Sequence, residues 1–196
     1  MPTRAYFLVG LLLFVGCSRA VKTSSLDSGS ASAQAMTTYD TNKDGFLDAQ
    51  ELEQCPGLKS CLKEWDQNKD GKLSKDEIET ALSAYAKSGI GLITVPCRVT
   101  IDGQPLVGAS VVLEPEPFLG TTVKSARGTT DEHGKTQLEA EGAALPGCHL
   151  GVYRVRISKT VGGQETIHDR YNKQSRLGVE IGPGQKAPCV FHLSTR

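Results

Sequence analysis

Two stretches of the chain place oxygen-bearing side chains at the same spacing. Residues 40–51 read DTNKDGFLDAQE and residues 66–77 read DQNKDGKLSKDE. Both fit D-x-N-x-D-G-x-L-x-x-x-E at every position. This pattern gathers hard oxygen donors, and calcium takes roughly six to eight of them at flexible geometry. In the first stretch Asp40, Asn42 and Asp44 offer side-chain oxygens and Phe46 its backbone carbonyl. Asp48 can act through a water, and Glu51 closes the set with two oxygens. The same roles fall to Asp66, Asn68, Asp70, Lys72 (through its carbonyl), Ser74 and Glu77 in the second stretch. Gly45 and Gly71 stand where the chain must turn sharply. Two Ca2+ sites are expected. The first should be tighter, because Asp40, Asp44, Asp48 and Glu51 carry more charge than Asp66, Asp70 and Glu77.

The elements that would position these donors can be read from the flanks. Met36 and Tyr39 precede the first stretch at the same offsets as Leu62 and Trp65 precede the second, and Ile78, Leu82 and Tyr85 continue a helical stripe after it. On these residues the segment 34–88 is identified as a tandem EF-hand pair. A dockerin would lack the entering helices and end its loops with Asp, whereas Glu51 and Glu77 end these. Only 14 residues separate the loops, and Pro56-Gly57 interrupts them. The first exit helix should stop near Cys55 and the next helix begin near Leu58. So short a connection, in a chain with two Met, suits a fixed pair rather than one that opens a Met-rich groove. Dissociation constants on the order of 10⁻⁵–10⁻³ M are expected, the range of extracellular modules. Calcium would then be a structural staple.

Arg4 followed by an apolar run over residues 5–15 reads as an export signal too short to span a bilayer. The run ends in Phe14-Val15-Gly16-Cys17, which resembles the lipobox of bacterial lipoproteins. That resemblance implies a signal peptide over 1–16, a lipid on Cys17 that anchors the protein to a membrane, and a place at the bacterial outer membrane or cell surface. Residues 17–33 are rich in Ser and Ala without a hydrophobic period and are expected to form a flexible tether.

Past Gly89 the hydrophobic period becomes two. Strands are expected at 97–101, 110–114, 126–130, 135–140, 152–158, 177–181 and 189–193, a seven-stranded antiparallel β-sandwich over 92–196. The fold class is thus α + β in separate domains. VTIDGQPLVGASVVLEP, GTTDEHGKTQL, GVYRVRIS and RYNKQSRLGVEIGPGQ resemble the carboxypeptidase regulatory-like domain with its transthyretin-like sandwich. The resemblance covers residues 95–195, departs from the pattern around residues 145–150, and carries no catalytic residues over.

Five cysteines follow Cys17. An exported protein can keep disulfides. Cys55 and Cys61 flank the Pro-Gly step and are candidates for one bridge. Cys97 and Cys189 share the inward parity of the first and last strands and are candidates for another, with Cys148 as the competing partner. His133, His149, His168 and His192 fit no zinc signature, and no G-x-S-x-G or phosphate loop is present, so no enzyme is expected. Balanced charge, 22 basic against 22 acidic residues, argues against nucleic acid. Arg154, Arg156, Lys159, Arg170, Lys173 and Arg176, interleaved with Tyr153 and Tyr171, form either a patch for acidic partners or a solvated face that guards a sheet edge. The expected partner is an envelope protein, with a glycan as the alternative.

Overall fold

The protein's structure, a computed structural model, describes residues 26–185 and 187–196. The expected signal peptide, Cys17 and the first part of the expected tether lie outside the described residues. Helix α1 spans Ser28–Tyr39, and the Asp27 carboxylate caps it by accepting from Ser30 N at 3.1 Å. Residues 28–33 are therefore helical, not tether. Ala and Ser carry little hydrophobic signal, yet Ala is the best helix former, and Ala31 and Ala35 are buried. Ser28 Oγ lies 2.9 Å from Ser83 Oγ, linking α1 to the later helix α3 (Lys75–Ser88).

Strand β1 (Phe46–Leu47) leads to a 3-10 helix, Glu51–Gln54, that stops at Cys55. Helix α2 then runs Pro56–Trp65. Pro56-Gly57 is its first turn rather than a break before it. Proline suits that position because its fixed φ is helical and its missing N–H would be unpaired there anyway. Strand β2 (Leu73–Ser74) pairs with β1, placing Leu47 opposite Leu73. Helix α3 opens with a capping box between Ser74 and Glu77 and closes on Gly89 at φ +67°.

The rest of the chain is β-rich: β3 Pro96–Ile101, β4 Gln104–Pro105, β5 Ser110–Pro115, β6 Ala126–Thr129, β7 Lys135–Gln137, β8 Glu139–Ala140, β9 Gly151–Ser158, β10 Thr160–Val161, β11 Gln164–Glu165, β12 Leu177–Ile181 and β13 Cys189–Leu193. One sheet has the order β12-β9-β5-β6-β8. A second runs β13-β3-β4, with β7 also on β3, and β10 and β11 form a separate hairpin. Two features differ from the expected pattern. The strand expected at 135–140 is broken at buried Leu138, because β7 pairs with β3 while β8 pairs with β6 in the other sheet. And β13 lies parallel to β3, so the region is not wholly antiparallel.

The cysteines from Cys55 onward are free buried thiols. The Cys55–Cys61 bridge is not formed, since Cys61 Sγ donates to Gly57 O at 3.2 Å and Cys55 meets Tyr39 and Glu116. Nor is Cys97 bonded to Cys189, although the two are direct register partners.

The helices and sheets share one buried apolar cluster. Helix α2 seats on β12, where a Cβ on Gly178 would come within 1.7 Å of Pro56 O. Gly57 is held as closely, with a Cβ there 2.7 Å from Glu116 Cγ and 3.0 Å from Tyr153 N. Tyr39 meets Phe118 edge-on at 6.5 Å, and Tyr85 donates to Glu180 Oε1 at 2.7 Å. No sequence pattern points to this seating, because both sides are ordinary core patterns and glycine spacing names no partner.

Candidate metal centre

The two loops share the same backbone-to-side-chain scaffold. In the first, Asp44 N and Gly45 N donate to Asp40 Oδ1 and Oδ2 at 3.2 and 3.1 Å. In the second, Asp70 N and Gly71 N donate to Asp66 Oδ1 and Oδ2 at 3.2 and 2.8 Å. Asn42 Oδ1 accepts from Asp44 N at 2.8 Å, and Asn68 Oδ1 from Asp70 N at 2.9 Å. Asp44 Oδ1 accepts from Phe46 N and Asp70 Oδ1 from Lys72 N, both at 2.9 Å. These side chains fold back over the loop because short polar groups readily capture nearby backbone N–H donors.

The backbone permits the fold. Gly45 and Gly71 take φ of +86° and +82°, and Lys43 and Lys69 stand at +59° and +62°. A side chain at either glycine would be strained there. Nothing lies within 4 Å of a Cβ built at either one, so the requirement is conformational rather than steric.

Glu51 and Glu77 close their loops from the following helical turn. Glu51 Oε1 accepts from Thr41 N at 2.8 Å and Oε2 from Asp48 N at 3.1 Å. Glu77 Oε1 accepts from Gln67 N and Oε2 from Ser74 N, both at 2.9 Å. Burial would raise both carboxyls, but the hydrogen bonds they accept outweigh it and hold both below the ordinary glutamate value. Asp48 and Ser74 also cap the turns that follow. Asp48 Oδ1 accepts from Gln50 N and Glu51 N, and Ser74 Oγ accepts from Glu77 N.

The donor set fits a calcium ion. It is made of carboxylate, amide and carbonyl oxygens in a glycine-turned loop; a cavity of about 330 Å³ beside the first loop reaches Asn42, Asp48 and Glu51 of its donors. Among the described residues no three carboxylate, thiol or imidazole groups converge as a ready-made cluster. The loop carboxylates are turned onto backbone N–H groups instead. A calcium shell also draws on Asn and main-chain oxygens.

One contact lies beyond the loop pattern. The spacing gives Lys72 a backbone role only, yet its ammonium reaches across to the first loop. Lys72 Nζ lies 3.0 Å from Asp44 Oδ2 and 5.4 Å from the centre of the Phe46 ring. The bond from Lys72, helped by the Phe46 N–H, holds the Asp44 carboxyl below its usual range. The β1–β2 register makes this possible, since Phe46 pairs with Ser74 and Leu47 with Leu73, the residue after Lys72.

Elsewhere, the basic region is largely tied to the chain itself. Arg154 Nη2 donates to Gln54 O at 2.9 Å, Arg156 pairs with Glu114 at 2.8 Å, and Arg176 pairs with Glu53 at 3.3 Å. Of the histidines, His192 is exposed, with Nδ1 2.8 Å from Thr100 Oγ1.

A family model described as EF hand matches residues 34–56 and again 58–83. No curated protein matches the chain. This region of the chain is similar to the EF hand, and that likeness implies calcium binding.

Proposed function

We propose that this is a lipid-anchored envelope protein whose EF-hand pair binds two calcium ions as a structural staple and whose β-rich part is the interaction surface. The ligands are the two sets of loop donors, from Asp40 to Glu51 and from Asp66 to Glu77. The staple rests on one observation: the pair is fixed to the sheet by backbone close contact, Gly178 against Pro56 O. An opening motion of α2 would have to break this seat, so calcium stabilises the assembly rather than exposing a groove. The β-rich part is read as a carboxypeptidase regulatory-like sandwich with no catalytic role. Its partner is an envelope protein or glycan.

Calorimetric titration of the full chain tests the calcium sites. The expected result is two ions per chain, dissociation constants on the order of 10⁻⁵–10⁻³ M and a rise in Tm with calcium. Submicromolar affinity with a large change in shape would overturn the staple, and absence of binding at millimolar calcium would overturn the sites. Labelled palmitate entering the wild type but not C17S tests the anchor. Capture from envelope extracts with and without calcium tests the partner.

A further inference from the structure

Among the described strands, β13 is an edge strand with β3 as its neighbour, and Cys189 opens it directly opposite Cys97. Parallel neighbours lie about 4.7–4.9 Å apart. That separation is inside the range of roughly 4.4–6.8 Å over which two Cα atoms accept a disulfide. Cys97 is fully buried and Cys189 nearly so, both on the inward face. The two cysteines are direct register partners on parallel strands, and Gln185 Nε2 lies 3.7 Å from Cys189 Sγ.

Of the other thiols, Cys148 lies close enough to influence both sulfurs but stands outside β3 and β13, in an isolated bridge to Ile93. Cys148 exchanges two backbone bonds with Ile93, both 2.9 Å, and its Sγ lies 3.8 Å from Leu138 O. Cys61 donates to Gly57 O, and Cys55 faces Tyr39 and Glu116 across the helix–sheet contact.

We propose that Cys97 and Cys189 are a redox site that forms a reversible disulfide by exchange with a disulfide-bearing oxidant, clasping the first long strand of the β-rich region to the last. The Cys189 sulfur attacks one sulfur of the oxidant, forming a mixed disulfide and releasing one thiolate. The Cys97 thiol gives up its proton and displaces the second thiolate from Cys189. Two protein thiols become one disulfide, and the oxidant's two sulfurs leave as two thiols. Cys189 is the attacking group because it stands at the start of an edge strand, where local fraying admits the oxidant more readily than at Cys97 inside the sheet.

The test uses the full chain carrying C17S, which leaves the five cysteines beyond the anchor position. The folded protein is equilibrated in mixtures of reduced and oxidised glutathione, alkylated and peptide-mapped. The expected result is loss of two of these five thiols, a Cys97–Cys189 peptide, alkylated Cys148, and a higher Tm in the oxidised than in the reduced form. C189S and C97S should each abolish that Tm difference. The mapping needs no variant at either position, so it decides the question even if C97S misfolds. A bridge through Cys148, a bridge formed only after unfolding, or five alkylatable thiols at every ratio would overturn the proposal.

Discussion

Gly57 N donates to Glu116 Oε1 at 2.8 Å, inside a contact where Glu116 is 1% exposed. A helix start belonging to the calcium-loop segment is thus capped by a carboxylate from the β-rich region. Helix α2 has no side-chain cap of its own, and the first N–H groups of a helix need an outside acceptor. Burial raises the Glu116 carboxyl above its usual range, against the bond from Gly57 and the Arg154 charge.

Replacing Glu116 separates these effects. Glu116→Ala should destabilise the protein by about 1–3 kcal/mol, because it strands the buried Gly57 N–H. Glu116→Gln keeps an oxygen acceptor and should cost less at neutral pH. The sign of the pH effect follows from the raised folded pKa. The native state binds the proton more tightly than the unfolded chain, so this group's contribution is fully present below the unfolded value and is lost as pH rises through the folded one. Other carboxyls, Glu51 and Glu77 among them, are held low and act with the opposite sign, so denaturant melts across the carboxyl range should show the wild type losing stability relative to E116Q as pH rises. Identical profiles would count against the assignment.

Gly178→Ala should cost about 1–3 kcal/mol or more, since the added carbon meets backbone at Pro56 O and not a flexible side chain. Gly45→Ala offers a contrast. It has open space and a φ of +86°, so its cost is strain confined to the first loop. The check is thermal unfolding of both variants with and without calcium. G178A should lose stability in both conditions.

Lys72→Met should tighten the first calcium site. The ammonium 3.0 Å from Asp44 Oδ2 competes with an incoming cation. Both partners are exposed, so the gain is modest, roughly fivefold at most. It should shrink at high salt. Calorimetry at two ionic strengths reads both effects, and unchanged affinity at low salt would refute the competition.

Glu51→Gln and Glu77→Gln should each reduce the stoichiometry by one ion. Trp65, the chain's one tryptophan, ends α2 beside Asp66 and packs edge-on against Tyr85 at 6.3 Å. Its fluorescence should respond to calcium in E51Q and lose most of that response in E77Q. The reverse pattern would mean that the second loop is not the site Trp65 reports.

Much of the calcium-loop segment is legible in its residues. The loops need oxygen donors at fixed offsets and a glycine at the turn, and no other part of the molecule is required to make that pattern meaningful. Strands such as Leu177–Ile181 and Cys189–Leu193 lie where the two-residue period puts them. The helix from Ser28 is hidden because Ala and Ser bury little apolar surface. The break at Leu138 is hidden because one residue's passage between sheets leaves the period intact.

The paired loops, the approximate strand positions and the inward parity of Cys97 and Cys189 all rest on local spacing, so the residues alone are enough to set them. Two contacts required the folded chain outright, Lys72 to Asp44 and Glu116 to the start of α2, and for a third the residues named Cys97 and Cys189 as candidates while only the parallel β3–β13 register set them, rather than Cys148, opposite each other. They join residues 28, 59 and 92 positions apart. Which distant partner a charge, a helix start or a strand finds is set by how the faces pack, and local pattern carries no record of that.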